Sequence, residues 1–172
     1  LIQEYCPAGG RVIDIGGGVS SLAGRLLERG YRVTVLDVSE AALQHTRQRL
    51  GPRAEQIGWI TADIAASPDL DTFDLWHDRA VFHFLTEATD RAAYVDLLAR
   101  AIPVGGHAII ATFAMDGPEK CSGFPVRRYD GESLAAELGP RFEFLKSVTE
   151  RHQTPWGSPQ SFQYSVFIRH AN

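Results

Sequence analysis

The stretch Val12-Ile13-Asp14-Ile15-Gly16-Gly17-Gly18 decides how this chain is read. An apolar run carrying one acid ends on successive glycines, and Ser20 to Arg29 then reads as a helix. Glycine has no Cβ, so the main chain can turn sharply there and a ligand can approach it closely. In parallel α/β sheets such turns lie at the carboxyl ends of strands, where nucleotides bind. Two later acids fall at comparable places. Asp37 closes the run Tyr31–Leu36, and Asp63 follows Ile57–Thr61. Asp37 lies about 20 residues beyond the glycines, the spacing at which a carboxylate reaches ribose hydroxyls in nucleotide-binding folds.

Outward from that turn, strand-like and helix-like patterns alternate, which predicts a mostly parallel sheet flanked by helices. Strands are expected at Arg11–Ile15, Tyr31–Leu36, Ile57–Thr61, Phe73–His77 and His107–Phe113. Gly30 ends the first helix, and Gly51-Pro52 ends the second, which runs from the N-cap candidate Ser39 to Leu50. Thr89 to Ile102 places Val95, Leu98, Ala99 and Ile102 on one helical face before Pro103 stops it. A short helix with an Asp130 cap reaches Leu138. Then the pattern changes. Phe142–Thr149 and Ser161–Ile168 read as an antiparallel strand pair joined by the loop 151–159. Residues 114–129 read as a long loop without secondary structure of its own, a kind of segment that often carries function.

The 172 residues suit one domain with a full core. Leu1 to Cys6 reads as the tail of a helix cut in its middle, which predicts a further N-terminal segment in the natural protein. An apolar content of 44% is ordinary for a globular chain. The net charge of -4 opposes a general nucleic-acid surface, which needs a basic face. No apolar run approaches the roughly 20 residues of a membrane span. Cys6 and Cys121 cannot make a disulfide framework, so a reducing cytoplasm is expected. Lysine is confined to Lys120 and Lys146 amid many arginines and alanines, a composition that suits a high-GC bacterial genome.

The acids narrow the ligand. A pyrophosphate prefers a helix N-terminus clear of carboxylates, whereas Asp14, Asp37, Asp63 and Asp78 all gather at strand ends here. The dinucleotide fingerprint G-x-G-x-x-G also lacks its last glycine, because Ser21 occupies that place. A nucleoside carrying positive charge suits such a pocket better, and S-adenosylmethionine is one. On these residues the chain resembles the class I S-adenosylmethionine-dependent methyltransferases. Asp14-Ile-Gly-Gly-Gly18 matches the family's acid-x-Gly-x-Gly motif, with Ser20 where a third alternating glycine often stands. The resemblance implies a three-layer, Rossmann-like α/β sandwich. Its mostly parallel seven-stranded sheet carries an antiparallel C-terminal strand between the fifth and sixth. It also implies a cofactor site in which Gly16, Gly17 and Gly18 form the turn and Asp37 holds both ribose hydroxyls. Val38 and Ile64 would pack on the adenine, Asp63 would take its amino group, Asp14 would orient the methionyl ammonium, and Asp78 would lie beside the amino-acid portion.

For the acceptor, the resemblance directs attention to the segment after the fourth strand and to the loops after the fifth and sixth. His83 falls where many small-molecule methyltransferases carry a histidine, and His152 is a second candidate for a general base. Both His77 and His83 also read as core histidines. Arg79, Cys121, Arg127, Arg128, Tyr129 and Trp156 are candidates for the substrate wall. Guanidinium groups suit carboxylate or phosphate, so a small polar or acidic acceptor is expected. The same arginines could instead pair with Asp116, Glu119 and Asp130 and hold the loop together. Cys121 and His152 fall short of the four ligands of a closed zinc site, so no metal is expected. A protein lysine methyltransferase and a non-catalytic cofactor-binding module are the alternatives. The oligomeric state is left open.

Overall fold

The computed structural model describes residues 1–153 and 159–171. Seven strands form one sheet: β1 Arg11–Ile15, β2 Arg32–Asp37, β3 Gly58–Thr61, β4 Leu75–Arg79, β5 His107–Phe113, β6 Phe142–Gln153 and β7 Pro159–Arg169. They lie in the order β3-β2-β1-β4-β5-β7-β6. All neighbours from β3 to β5 are parallel, and β7 runs antiparallel to both β5 and β6. The helices are α1 Ile2–Tyr5, α2 Leu22–Glu28, α3 Glu40–Leu50, α4 Ala88–Ala101 and α5 Gly131–Leu138. No helix among the described residues is long and apolar enough to cross a membrane.

Strand alternation divides the core in two. Val12, Val35, Leu75 and Ile109 pack with Ala23 and Leu26 of α2 and Leu43 of α3. Ile13, Leu36, Trp76 and Ile110 pack with Tyr94 and Leu98 of α4 and Leu134 of α5. Because both faces of the sheet are covered, the central strands are nearly continuous apolar runs. The helix starts obey local chemistry. Ser39 accepts the Ala42 N–H at 3.2 Å, and Asp130 and Ser133 cap each other reciprocally.

Three segments differ from expectation. The final strand pair is longer, because backbone pairing continues from Phe142↔Arg169, past a register shift between Phe144 and Lys146, out to Gln153↔Pro159. Within residues 114–129, Lys120–Cys121 pairs with Phe124–Pro125 around Ser122-Gly123, both at positive φ, which makes a tight hairpin. The third difference matters most: β4 begins at Leu75 and runs on to Arg79, where Phe73–His77 was expected.

That shift places Asp78 within the strand, on the same face as Trp76 and turned toward α4. Asp78 therefore lies in the core and not at the crevice where it was expected beside the cofactor. It is fully buried; Oδ1 accepts the Val81 N–H at 2.8 Å, and Oδ2 accepts the Phe82 N–H at 3.1 Å and the Tyr94 hydroxyl at 2.6 Å. Burial pushes its pKa up to about 6 against these hydrogen bonds, which favour the charged form. A second buried polar group follows. His83 Nδ1 accepts the Phe113 N–H at 3.2 Å, its carbonyl accepts the Arg127 N–H at 2.8 Å, and Phe84 and Phe113 pack on its ring. Burial lowers its pKa to about 4, so the ring is neutral.

Two predictions follow from these groups. Asp78→Ala strands two backbone donors and a phenol, each costing about 1–3 kcal/mol, so urea denaturation should show a loss of about 3 kcal/mol or more. His83 bears on pH. Its folded pKa lies below the unfolded 6.5, so its contribution to stability is complete above pH 6.5 and is lost as pH falls toward 4. The stability advantage of wild type over His83→Gln should shrink by up to about 3 kcal/mol between pH 7 and pH 4, read by urea titration at each pH. Asp78 titrates in the opposite sense, contributing below pH 3.8 and losing that contribution as pH rises through about 6. It is present in both proteins and cancels from the difference.

Candidate functional site

The turn after β1 is fixed by close approaches. Gly16 has φ 71°, and a Cβ there would collide with Val81. At Gly17 a Cβ would strike the Asp14 carboxylate. The Gly18 N–H donates to Asp37 Oδ2 at 3.0 Å, and the Ser39 N–H donates to Asp37 Oδ1 at 2.8 Å. Each oxygen of Asp37 has taken one backbone donor and keeps a lone pair for another. Asp63 caps the short turn Ile64–Ala66 through Oδ1, which accepts the Ala65 N–H at 2.9 Å.

Two adjoining cavities open at these strand ends. One, of about 460 Å³, is walled by Asp37, Val38, Asp63, Ile64, Phe84 and Leu85. Val38 is 72% exposed, an apolar side chain displayed to an open cavity. The other, of about 500 Å³, is bordered by Asp14, Ser20, Arg25, His77, Glu150 and Tyr164. Ile15, Gly16 and Arg79 belong to both. Asp14 is buried; its Oδ1 lies 2.7 Å from His77 Nδ1, and its Oδ2 has no hydrogen-bond partner. The exposed Arg79 lays its guanidinium over Phe162, 4.7 Å from the ring centroid, and donates from Nε to the Tyr164 hydroxyl at 2.9 Å. Tyr164 is held above the usual phenol range by burial, with Arg79 opposing and the neighbouring Glu150 adding to the rise.

Several expected wall residues are engaged elsewhere. Arg127 pairs with Glu137 at 3.0 Å, and Arg128 donates to Glu119 at 3.1 Å and to the Gly117 carbonyl at 3.2 Å. Both fasten the segment between β5 and α5. Tyr129 is buried against Phe82, and burial raises its phenol pKa. Expected on the substrate wall, it is a core residue because its N–H is tied to the Phe113 carbonyl, drawing it under α5. His83, expected as a base, lines neither cavity and has Nδ1 occupied. Cys121 packs with Ala80, Val126 and Tyr164 against Ala111, Phe113 and Phe162, next to the crevice. Its thiol is pushed up by burial, which disfavours the thiolate. The His152 side chain and Trp156 lie outside the described residues.

Sequence reading left Glu150 and Tyr164 unassigned and treated His77 as a core residue. A signal for Tyr164 lies in β7, where Phe162 and Tyr164 alternate with Gln163 and pair with Phe113 and Ala111.

Residues 12–106 match the family model for a methyltransferase domain. The ubiquinone/menaquinone biosynthesis C-methyltransferase of Paracoccus denitrificans is 32% identical over 111 residues, 62% of this chain and 43% of that protein. The chain thus spans about half the length, or less, of the curated relatives it matches. Among solved structures, a methyltransferase of Methanosarcina mazei superposes with a TM-score of 0.80 at 16% identity, over 99% of this chain and 97% of that one. The 1,6-didemethyltoxoflavin-N1-methyltransferase of Burkholderia thailandensis, solved with S-adenosylhomocysteine, gives 0.72 at 20% identity, over 94% and 72%. The match over more than half of the chain, on a sheet of this strand order, makes it a member of the class I, Rossmann-like S-adenosylmethionine-dependent methyltransferase family.

Proposed function

We propose that this protein transfers a methyl group from S-adenosylmethionine to a small acceptor bearing a polar or acidic group, and that Arg79 seats that group. The observation that carries the reading is the unpartnered, buried Oδ2 of Asp14 beside a glycine turn too close-packed for any Cβ. A buried carboxylate oxygen without a partner is costly, and a cationic aminoacyl group would satisfy it. Asp37 keeps a lone pair on each oxygen for a ribose diol, Asp63 offers Oδ2 to an adenine amino group, and Val38 and Ile64 give the adenine apolar cover. These residues fit the cofactor.

S-adenosylmethionine would supply an electrophilic methyl carbon on a sulfonium; an acceptor lone pair would bond to that carbon in line as its bond to sulfur breaks, with S-adenosylhomocysteine, a thioether, as the leaving group. The chain's own work is alignment and exclusion of water, worth up to roughly 7–11 kcal/mol in favourable cases. Arg79 suits the acceptor because Phe162 and Tyr164 hold its guanidinium at the junction of the two cavities, leaving the terminal nitrogens to meet an anion. Glu150 and Tyr164 stand in the same cavity, where a protonated acceptor could transfer its proton to the carboxylate. The relatives support a small acceptor without fixing its atom, since one methylates carbon in quinone biosynthesis and another the N1 of a toxoflavin precursor.

Calorimetry should show binding of S-adenosylhomocysteine and none of NAD; the reverse would defeat the proposal. Asp37→Ala removes a bidentate charged contact, each bond worth about 1.5–3 kcal/mol, so affinity for S-adenosylhomocysteine should fall about a hundredfold or more. A labelled methyl donor mixed with a fractionated metabolite extract should transfer label to small molecules and not to protein. With that acceptor, Arg79→Gln should raise KM about tenfold and leave the Kd for S-adenosylhomocysteine unchanged. An unchanged KM would remove Arg79 from the acceptor site.

A further inference from the structure

His77 and Asp14 face each other in register on β4 and β1, and both are buried on the α2 face of the sheet. A carboxylate only accepts hydrogen bonds, so His77 Nδ1 carries a proton and donates it to Asp14 Oδ1 across 2.7 Å. That bond fixes the tautomer, and in the neutral ring Nε2 then bears the lone pair. Asp14 Oδ2 is buried without a partner. Both side chains border the same cavity. The pair thus holds two acceptor atoms in the wall of that cavity, the buried Asp14 Oδ2 and His77 Nε2. Ser20, Ser21 and Arg25 bring donors to the same cavity. A primary ammonium, with three N–H donors and a positive charge, complements the two acceptors. A second carboxylate at position 77 would set two buried like charges side by side, and an apolar residue would strip Asp14 Oδ1 of its donor.

Resting on the reading that S-adenosylmethionine binds here, we infer that His77 is a positioning residue for the cofactor's methionyl ammonium. It holds Asp14 so that Oδ2 faces the ammonium, and it offers Nε2 as a second acceptor. It thereby makes the site selective for ligands that carry the amine.

The test compares wild type, His77→Leu and His77→Asn by calorimetry against three probes. S-adenosylhomocysteine carries amine and carboxylate, decarboxylated S-adenosylmethionine carries the amine alone, and 5′-methylthioadenosine carries neither. In His77→Leu, affinity for both amine-bearing probes should fall about tenfold or more, the loss expected for a hydrogen bond to a charged group. Affinity for 5′-methylthioadenosine should stay within about twofold. His77→Asn keeps a donor for Asp14 and an amide acceptor, so it should recover part of the loss. This smaller polar variant carries the comparison if leucine disturbs folding, and a thermal melt reports that. Equal loss for all three probes would make His77 a structural residue and overturn the inference. So would loss for S-adenosylhomocysteine alone, which would aim His77 at the carboxylate, and so would no loss at all. If wild type binds S-adenosylhomocysteine, each of these outcomes leaves the proposed function standing. If wild type does not bind it, both fall.

Discussion

One carboxylate ties the crevice together. Asp37 closes β2 and accepts a backbone N–H from the turn after β1 and another from the turn after β2, so two loops of adjacent parallel strands share an anchor. Further bonds bind the same region. The Gly16 N–H donates to the Leu36 carbonyl at 2.7 Å, Thr46 donates to the Gly18 carbonyl, and Arg49 donates to the Ser20 carbonyl at 2.6 Å. Ordering a residue's backbone costs roughly 1–2 kcal/mol, and here that cost is met during folding, so a ligand finds the glycine turn already in shape. Asp37 therefore anchors both turns and still keeps a lone pair on each oxygen where it borders the cavity.

What the sequence made legible follows from that arrangement. Strands buried on both faces announce themselves as apolar runs, and acids at or near their carboxyl ends stand out by contrast, which made the places of Asp14, Asp37 and Asp63 in the fold readable. The fourth strand was harder, because its last residues, His77, Asp78 and Arg79, are polar and resemble the start of a loop. Moving the strand's end by two residues changes the surroundings of each. Alternation sends His77 toward Asp14 and Asp78 toward Tyr94, a partner 16 residues away that no local pattern indicates.

The arginines show the same limit across greater distances. Arg79, Arg127 and Arg128 look alike in sequence, yet only Arg79 borders the two cavities. Its platform comes from Phe162 and Tyr164 on β7, reached only because β7 inserts antiparallel beside β5. Arg128 meets Glu119 because a hairpin folds the segment after β5 back on itself, and Arg127 meets Glu137 on α5. Two-residue strands carry no periodicity to read, and Ser122-Gly123 was the one local sign of that turn.

The buried groups still act on the crevice, at one remove. Ala80 has φ 70°, a left-handed conformation costing roughly 1–2 kcal/mol for a residue with a Cβ. It persists because neighbours fix both sides of it: the Ala80 N–H donates to the Ala111 carbonyl at 2.9 Å, and the Val81 N–H donates to Asp78. Ala80 and Val81 then line the first cavity, where Val81 occupies the space that a Cβ on Gly16 would need. Asp78, inside the core, thus sets the position of residues that touch the cavity, and the glycine turn after β1 is shaped to fit them. The desolvation that raises its pKa also strengthens the hydrogen bonds by which it holds that turn.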